Sequence, residues 1–218
     1  MNKKLIGYRT SQPFPEMMRF DITQYDWYQS HWGGILPSRY SYQRESMVNT
    51  ELRAMTKFFT IDLKFDDGSI DRIVFDKGTV WDLASVPSFV RSLIDNDALI
   101  VFLAALFHDG AIGLHLYPVD MCNEIFRDLI VIFIDKYKKR YIEMQEEILH
   151  SIDDRKKREL FKDGYTDFID KWVRDSKRDA DTYFFGVDVR VSPCYKIYKN
   201  SNPETHWNRN FVKKVIVL

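Results

Sequence analysis

The sequence has no excess of charge of either sign. Its 32 basic side chains balance 32 acidic ones, so the formal net charge is +0 at neutral pH. Sequence-independent binding to nucleic acid or to an anionic membrane surface usually depends on an excess of lysine and arginine. The composition therefore carries no nucleic-acid signature, although it leaves room for a local basic patch.

Cysteine is equally scarce, since the chain contains only Cys122 and Cys194. Two cysteines are too few for the disulfide framework of a small secreted domain, and no histidines are spaced with them as a zinc site requires. We therefore expect the protein to reside in a reducing cytoplasm.

Long apolar runs are also missing. The longest, residues 98–107, has ten residues, about half of the roughly 20 that a membrane-spanning helix needs. The N-terminal residues lack an apolar region of signal-peptide length, so we expect no transmembrane segment and no processing. An apolar content of 45% in 218 residues is enough for a substantial core. The chain should form one core domain with an elaboration.

The clearest pattern is a core over residues 57–134. The stretches "KFFTIDLKF" and "IDRIVF" flank a turn at Asp67-Gly68 and predict a β-hairpin. After the loop "DKGTVWDLASVPS", an apolar helix is expected from residue 98 to about Asp109, ending at Gly110. Pro118 should open a second helix, because apolar residues then recur at three- and four-residue steps.

The flanks of this core differ from it in pattern. Residues 1–56 hold neither period for long and predict an irregular, aromatic arm with short elements. Residues 135–182 predict a charged helical extension, broken near Asp163-Gly164, and residues 183–218 predict terminal strands in "YFFGVDVRV" and "NFVKKVIVL". The expected fold class is α+β, with an antiparallel hairpin or small sheet packed on a pair of core helices.

Candidate chemistry begins with His108 and Asp109 at the end of the first core helix. Histidine is the side chain that changes protonation near neutral pH without help. Neighbours in a helix point about 100° apart, so Asp109 cannot orient His108 as a triad aspartate would. Either His108 transfers a proton while Asp109 binds a cation, or both are metal ligands. The structural alternative is an ordinary polar helix terminus.

Asp82 and Ser85 form the second candidate, in "GTVWDLASVPS". A carboxylate between Trp81 and Leu83 needs a cation, a histidine or several backbone amides if it is buried. Ser85 is either a helix N-cap or a nucleophile, but it lacks the glycine-flanked elbow of serine hydrolases. A divalent cation held by Asp82 and Asp109 is compatible with the sequence, and no cofactor is required by it.

These motifs resemble an uncharacterised family of small bacteriophage and prophage proteins, known only as a domain of unknown function. Its pattern is a hairpin, a loop Gly-x-x-Thr-Asp-x-Ala-Ser-Ile/Val-Pro, a helix ending Ala-Ala-x-x-His-Asp, and a helix with Ala-Asp-x-x-Phe. The chain matches it in "KGTVWDLASVPSFV", "LAALFHDGAI" and "CNEIFRDLI", over roughly residues 57–134. By position, the resemblance points to these residues: Asp82, Ala84, Ser85, Pro87, His108 and Asp109.

The chain departs from the family pattern in three places. Val80-Trp81 and Gly110-Ala111 differ from the usual residues, and Cys122-Asn123 replaces the Ala-Asp of the second helix. If the family aspartate orients the histidine, Asn123 could hold His108 but could not stabilise an imidazolium as a carboxylate does.

The helix pair is also similar to the core of the secreted calcium-dependent phospholipases, where the histidine is the base, the adjacent aspartate binds calcium and an opposite aspartate orients the histidine. The chain lacks the disulfides and the glycine-rich calcium loop of those enzymes. A metal-dependent His-Asp phosphohydrolase is a weaker match, since the five histidines show no ligand spacing.

Two functions follow from the resemblance, and the charged helices after Asp135 suggest a third, a small intracellular protein that binds a host factor through them. The first is a bacteriophage virion structural or assembly component built on a hydrolase-like core. It would bind other phage proteins or itself through the N-terminal arm and the C-terminal strand, and it would occur in the host cytoplasm and then in the virion. The second is a phage hydrolase acting on a host envelope ester or amide, with His108 as general base and Asp109 and Asp82 as cation ligands or orienting groups.

Overall fold

The computed structural model of the protein describes residues 3–20, 52–82, 98–188, 203–205 and 208–217. Two antiparallel sheets and a set of long helices make up these residues. The strands are β1 Leu5–Thr10, β2 Met17–Phe20, β3 Leu52–Met55, β4 Phe59–Phe65, β5 Ile70–Phe75, β6 Val80–Asp82 and β7 Val212–Val217. The helices are α1 Ala98–Ile112, α2 Val119–His150 and α3 Arg155–Asp188, with a 3₁₀ turn at Pro203–Thr205.

The predicted hairpin is confirmed as β4 and β5, which lie at the centre of a four-stranded sheet of order β1-β4-β5-β7. Its turn closes at Gly68, whose positive φ of 83° suits a residue without a Cβ. Asp67 Oδ1 accepts a hydrogen bond of 2.8 Å from the Ser69 amide and fixes the turn. A second sheet, of order β2-β3-β6, includes the strand that ends at Asp82.

One face of the four-stranded sheet packs on α1 and α2 and forms the core. Alternate residues of β4 are fully buried, as a strand with one covered face requires. Ile73 and Phe75 continue this face on β5, and the helices contribute Leu106, Phe107 and Ile125. This arrangement confirms the expected α+β class, with an antiparallel sheet packed against helices.

The predicted end of α1 at Gly110 is wrong, because the helix continues to Ile112. Gly110 is a packing residue: a Cβ at this position would lie 2.8 Å from Phe75 Cε1. The helix instead ends where His115 takes a positive φ of 53°. The amides of Leu116 and His115 then donate to the carbonyls of Ala111 and Ile112, which is the Schellman pattern.

The second core helix is confirmed as α2, which continues far into the charged extension and forms an antiparallel hairpin with α3. The predicted break near Asp163-Gly164 is wrong, since the chain reverses at residues 151–154 and α3 runs through Gly164. Asp154 explains the position of the turn, because its Oδ1 accepts a 3.0 Å hydrogen bond from the Lys157 amide and caps α3.

The predictions for the two ends of the chain have different outcomes. The predicted strand in "YFFGVDVRV" is wrong as far as residue 188, because α3 extends to Asp188. The strand predicted in "NFVKKVIVL" is confirmed as β7, which pairs with β5. In the predicted N-terminal arm, β1 joins the edge of the main sheet beside β4. None of the described helices is long and apolar enough to cross a membrane.

Candidate functional site

His108 and Asn123 meet between α1 and α2, inside the core. The His108 Nε2 atom lies 2.9 Å from Asn123 Oδ1. His108 is only 6% exposed and Asn123 is fully buried. The edge of the imidazole also packs on the Phe126 ring, with centroids 5.2 Å apart. In this orientation the ring N–H donates to the amide oxygen, so the proton of the neutral imidazole resides on Nε2.

Asp109 lies at the other nitrogen of the same ring. Its Oδ1 is 3.7 Å from His108 Nδ1, which is too long for a hydrogen bond but close enough for an ion pair with a protonated imidazole. The two side chains are 8% and 11% exposed. The ring therefore lies between a neutral amide at Nε2 and a carboxylate near Nδ1.

Asp82 ends β6, where its backbone pairs with Leu52 of β3. The Asp82 side chain lies outside the described residues, as do Ser85 and the rest of the loop up to residue 97. Of the predicted site residues, the structure therefore brings His108, Asp109 and Asn123 together.

Trp81 connects the start of this loop to α1. It is fully buried, and its ring packs edge-on against Phe102 with centroids 5.5 Å apart. The indole N–H has no acceptor among the described residues. The adjacent residue, Val80, is held by the fully buried Asn208, which accepts from the Val80 amide at 2.9 Å and donates to its carbonyl at 2.7 Å.

Sequence reasoning missed Asn208, and local pattern offers no signal for it. The contact joins residues 128 positions apart, and the partner atoms are backbone groups that every residue carries. An amide side chain can replace a missing strand neighbour, because it presents one donor and one acceptor in the geometry of a peptide group. The C-terminal segment thus fixes the strand from which the Asp82 loop departs.

Sequence reasoning also missed a buried ionic cluster around Asp71, which is 2% exposed. Its Oδ2 accepts hydrogen bonds from Tyr117 at 2.7 Å, Lys214 at 3.0 Å and Lys3 at 3.1 Å. Burial alone would raise the pKa of Asp71, but these three donors outweigh burial and lower the pKa. The alternation of "IDRIVF" could have shown this cluster, because it places Asp71 on the same face as Ile73 and Phe75.

Cys122 shows no sign of nucleophilic activation. The residue is fully buried, and its thiol lies 3.7 Å from the Tyr117 carbonyl oxygen. Burial raises the pKa of Cys122 to about 12. The thiol therefore stays protonated near neutral pH and serves as a small apolar side chain beside Asn123.

Within the part of the chain that the structure describes, no three histidine, cysteine, aspartate or glutamate side chains are grouped as metal ligands. A cleft of about 350 Å³ opens between the start of β1, α2 and the end of α3, and His108 is not among the residues that line it. Its walls mix both charge signs and are formed by Lys3, Lys4, Leu5, Glu124, Ile125, Arg127, Asp128 and Phe184.

The fold and the site define an α+β protein whose helix pair encloses a hydrogen-bonded histidine. Residues 59–142 match the model of a family described as "Protein of unknown function (DUF1353)". The matched segment begins at β4 and ends within α2, so it contains His108, Asp109 and Asn123. No curated protein and no solved structure matches the chain.

Proposed function

We propose that the chain is a bacteriophage protein and serves as a virion structural or assembly component built on a hydrolase-like core. The phage assignment rests on the resemblance of the "DLASVP" and "AALFHD" motifs. The structural assignment rests on one observation: His108 is buried and its Nε2 is hydrogen-bonded to the fully buried Asn123 amide.

The chemistry of that pair favours a structural role. A general base must come within hydrogen-bond reach of the proton that it abstracts, and it must be stabilised when it becomes charged. At Nε2, the neutral Asn123 amide orients the ring but adds no charge to stabilise an imidazolium, whereas the nearby carboxylate of Asp109 lies at the other nitrogen and makes no hydrogen bond to it at 3.7 Å. In return, the hydrogen bond ties α1 to α2 at a point where an unpaired polar group would destabilise the core.

The experiment is quantitative mass spectrometry of purified particles of the phage that encodes the chain. We expect the chain to be present at a fixed ratio to the major capsid or tail proteins, in a copy number that matches particle symmetry. Particles made with Asn123→Ala should contain less of the chain because the core is weakened. Complete absence of the chain from particles and from assembly intermediates would refute the proposal.

A second candidate is a hydrolase acting on an ester or amide of the host envelope. The contact that favours it is the 3.7 Å approach of Asp109 Oδ1 to His108 Nδ1, because this carboxylate could stabilise an imidazolium. Asp109 and Asp82 would then bind a cation or orient the substrate.

The hydrolase can be tested by release of soluble fragments from purified envelopes. Under this candidate, His108→Ala and Asp109→Asn should each lower the rate at least about 100-fold. The exposed His150 provides the matched control, since His150→Ala should leave the rate unchanged. Asn123→Asp should raise the rate if a carboxylate is what the histidine lacks. Equal rates for His108→Ala and the unaltered protein would eliminate this candidate.

A further inference from the structure

The hairpin of α2 and α3 has a seam between its helices that is already filled. Gln145 of α2 donates to the Lys162 carbonyl at 2.8 Å and to Thr166 at 3.0 Å. Ile169 of α3 is 2% exposed. Up to Ile134, α2 also packs on the core, but beyond that residue Gln145 is its only buried side chain. A two-helix hairpin requires one apolar stripe on each helix.

Each helix nevertheless carries a second apolar stripe beside that seam. On α2 the stripe has steps of four, three and four residues: Tyr137, Tyr141, Met144 and Ile148. On α3 the same steps recur: Phe161, Tyr165, Phe168 and Trp172. At 100° per residue, each set of four lies within a sector of about 60°. Such four-three spacing is the pattern of a helix that packs against another helix.

The two stripes lie on the same side of the hairpin and form one surface, here called the aromatic face. Tyr141 contacts Phe168 and Trp172, with ring centroids 6.0 and 5.1 Å apart. Phe168 is 50% exposed, Met144 39% and Ile148 37%. The other stripe residues are half-buried and Trp172 also packs against the core, so the exposed part of the face is centred on Met144, Ile148 and Phe168. Each helix therefore has a filled inner seam and a partly exposed apolar stripe beside it, as in the helices of a four-helix bundle.

We propose that the aromatic face packs on the same face of a second copy of this chain, so that two hairpins form an antiparallel four-helix bundle. The charges on the outer edges of the face favour a second copy over an unrelated partner. On α2, the exposed Arg140 and Glu147 lie about one turn before and one turn after Met144 along the helix. On α3, Lys157 and Asp175 lie about equally far from the midpoint of their stripe.

A two-fold axis near Met144 would therefore place Arg140 of each copy beside Glu147 of the other, and Lys157 beside Asp175. The surface is complementary to itself when one copy is reversed, as an isologous contact requires. The formal net charge of +0 adds no overall repulsion between copies. This inference does not depend on the proposed function.

The size of the contact predicts a reversible dimer. The face runs over 12 residues of each helix, or about 18 Å at 1.5 Å per residue, and two helices are about 20 Å wide. Each copy would cover about 360 Å², or roughly 700 Å² in total, which is the size of a weak, transient contact. We therefore expect a dimer whose population depends on concentration.

The first test is sedimentation velocity of the full chain over a range of concentrations, in a reducing buffer that prevents a disulfide between copies. We expect a shift from monomer to dimer as concentration rises. Phe168→Glu should raise the dimer dissociation constant at least about tenfold, because it puts a charge at the centre of the face. Leu160→Glu is the matched control: Leu160 is 75% exposed on the same helix but lies outside the stripe, so this variant should dimerise normally.

The second test examines the antiparallel register. Arg140→Glu leaves two acidic groups on the α2 edge and Glu147→Arg leaves two basic groups, so each variant should dimerise poorly alone. Mixed in equal amounts they should form a one-to-one heterodimer, and the double variant Arg140→Glu/Glu147→Arg should recover the homodimer. Circular dichroism should show unchanged helix content in every variant. The proposal would be overturned if the protein stays monomeric at all concentrations, or if Phe168→Glu forms a dimer as tight as that of the unaltered protein. The antiparallel register would be overturned if the two single variants fail to associate when mixed.

Discussion

Two glycines in helices, Gly110 of α1 and Gly164 of α3, allow a matched test of how closely α1 packs on the sheet. Alanine is favoured over glycine by about 1 kcal/mol inside a helix, and this gain applies to both positions. Around Gly164 a Cβ would meet nothing within 4 Å. Gly164→Ala should therefore raise the free energy of unfolding by up to about 1 kcal/mol, or about 2–4 °C in Tm for a chain of this length.

Gly110→Ala should have the opposite effect. The new Cβ would lie 2.8 Å from Phe75 Cε1 and 3.4 Å from Val212 Cγ1. Phe75 is fully buried and packs on Phe59, with ring centroids 6.4 Å apart, so the ring cannot move aside without displacing other core side chains. Overpacking of this kind costs about 1–3 kcal/mol. After the helix gain is subtracted, the net change is a loss of up to about 2 kcal/mol.

The assay is urea unfolding followed by circular dichroism, at a protein concentration low enough to avoid association. Because the helix term is the same in both variants, the difference between their unfolding free energies isolates the overpacking term, about 1–3 kcal/mol. If Gly110→Ala is stabilised as much as Gly164→Ala, then α1 is not held against Phe75 and the account of Gly110 is wrong.

Three further outcomes can be checked on the same purified protein. Asp71→Asn should lower the unfolding free energy by about 2–3 kcal/mol at pH 7, less than for a fully buried pair because its lysine partners are about a quarter exposed. Folding lowers the pKa of Asp71, so its ionised carboxylate stabilises the fold above the unfolded pKa of about 3.9, and this stabilisation is lost as pH falls through the folded pKa. The unfolding free energies of wild type and Asp71→Asn should therefore converge in acid. A constant difference between them at every pH would contradict this. In a Cys194→Ser background, Cys122 should react with a thiol reagent only after unfolding, and rapid labelling of the native protein would contradict its burial and raised pKa. Asn123→Ala should cost about 1–3 kcal/mol, and the His108→Ala/Asn123→Ala double variant should lose less than the sum of the two single variants; strict additivity would rule out the hydrogen bond.

The buried polar contacts show where reasoning from sequence was sufficient and where it was not. Asn123 could be identified as a partner of His108, because both positions stand out in motifs on adjacent helices. Strand alternation in β5 predicts that Asp71 faces the core, but it cannot identify the lysine partners, because these come from the two ends of the chain. Asn208 had no signal, since it recognises backbone atoms of a distant strand.

The local determinants of the fold are visible in the sequence itself. The Asp67-Gly68 turn determines the hairpin because few residue pairs accept its backbone angles, and apolar spacing determines α2 because one face must be buried. Helix ends were harder to predict. Glycine marks a helix end when it supplies a positive φ, but Gly110 and Gly164 both lie inside helices, and His115 supplies the positive φ at the end of α1.

The tertiary structure alone decided the features that depend on distant neighbours. The alternating stretch "YFFGVD" reads as a strand by period, yet it continues α3, because a short segment can satisfy either period and its surroundings decide between them. Likewise, the sequence determined that α2 and α3 are amphipathic, whereas only the folded hairpin showed that each helix keeps a partly exposed apolar stripe after its inner seam is filled. Periodicity records which residues avoid water, and the three-dimensional arrangement determines what covers them.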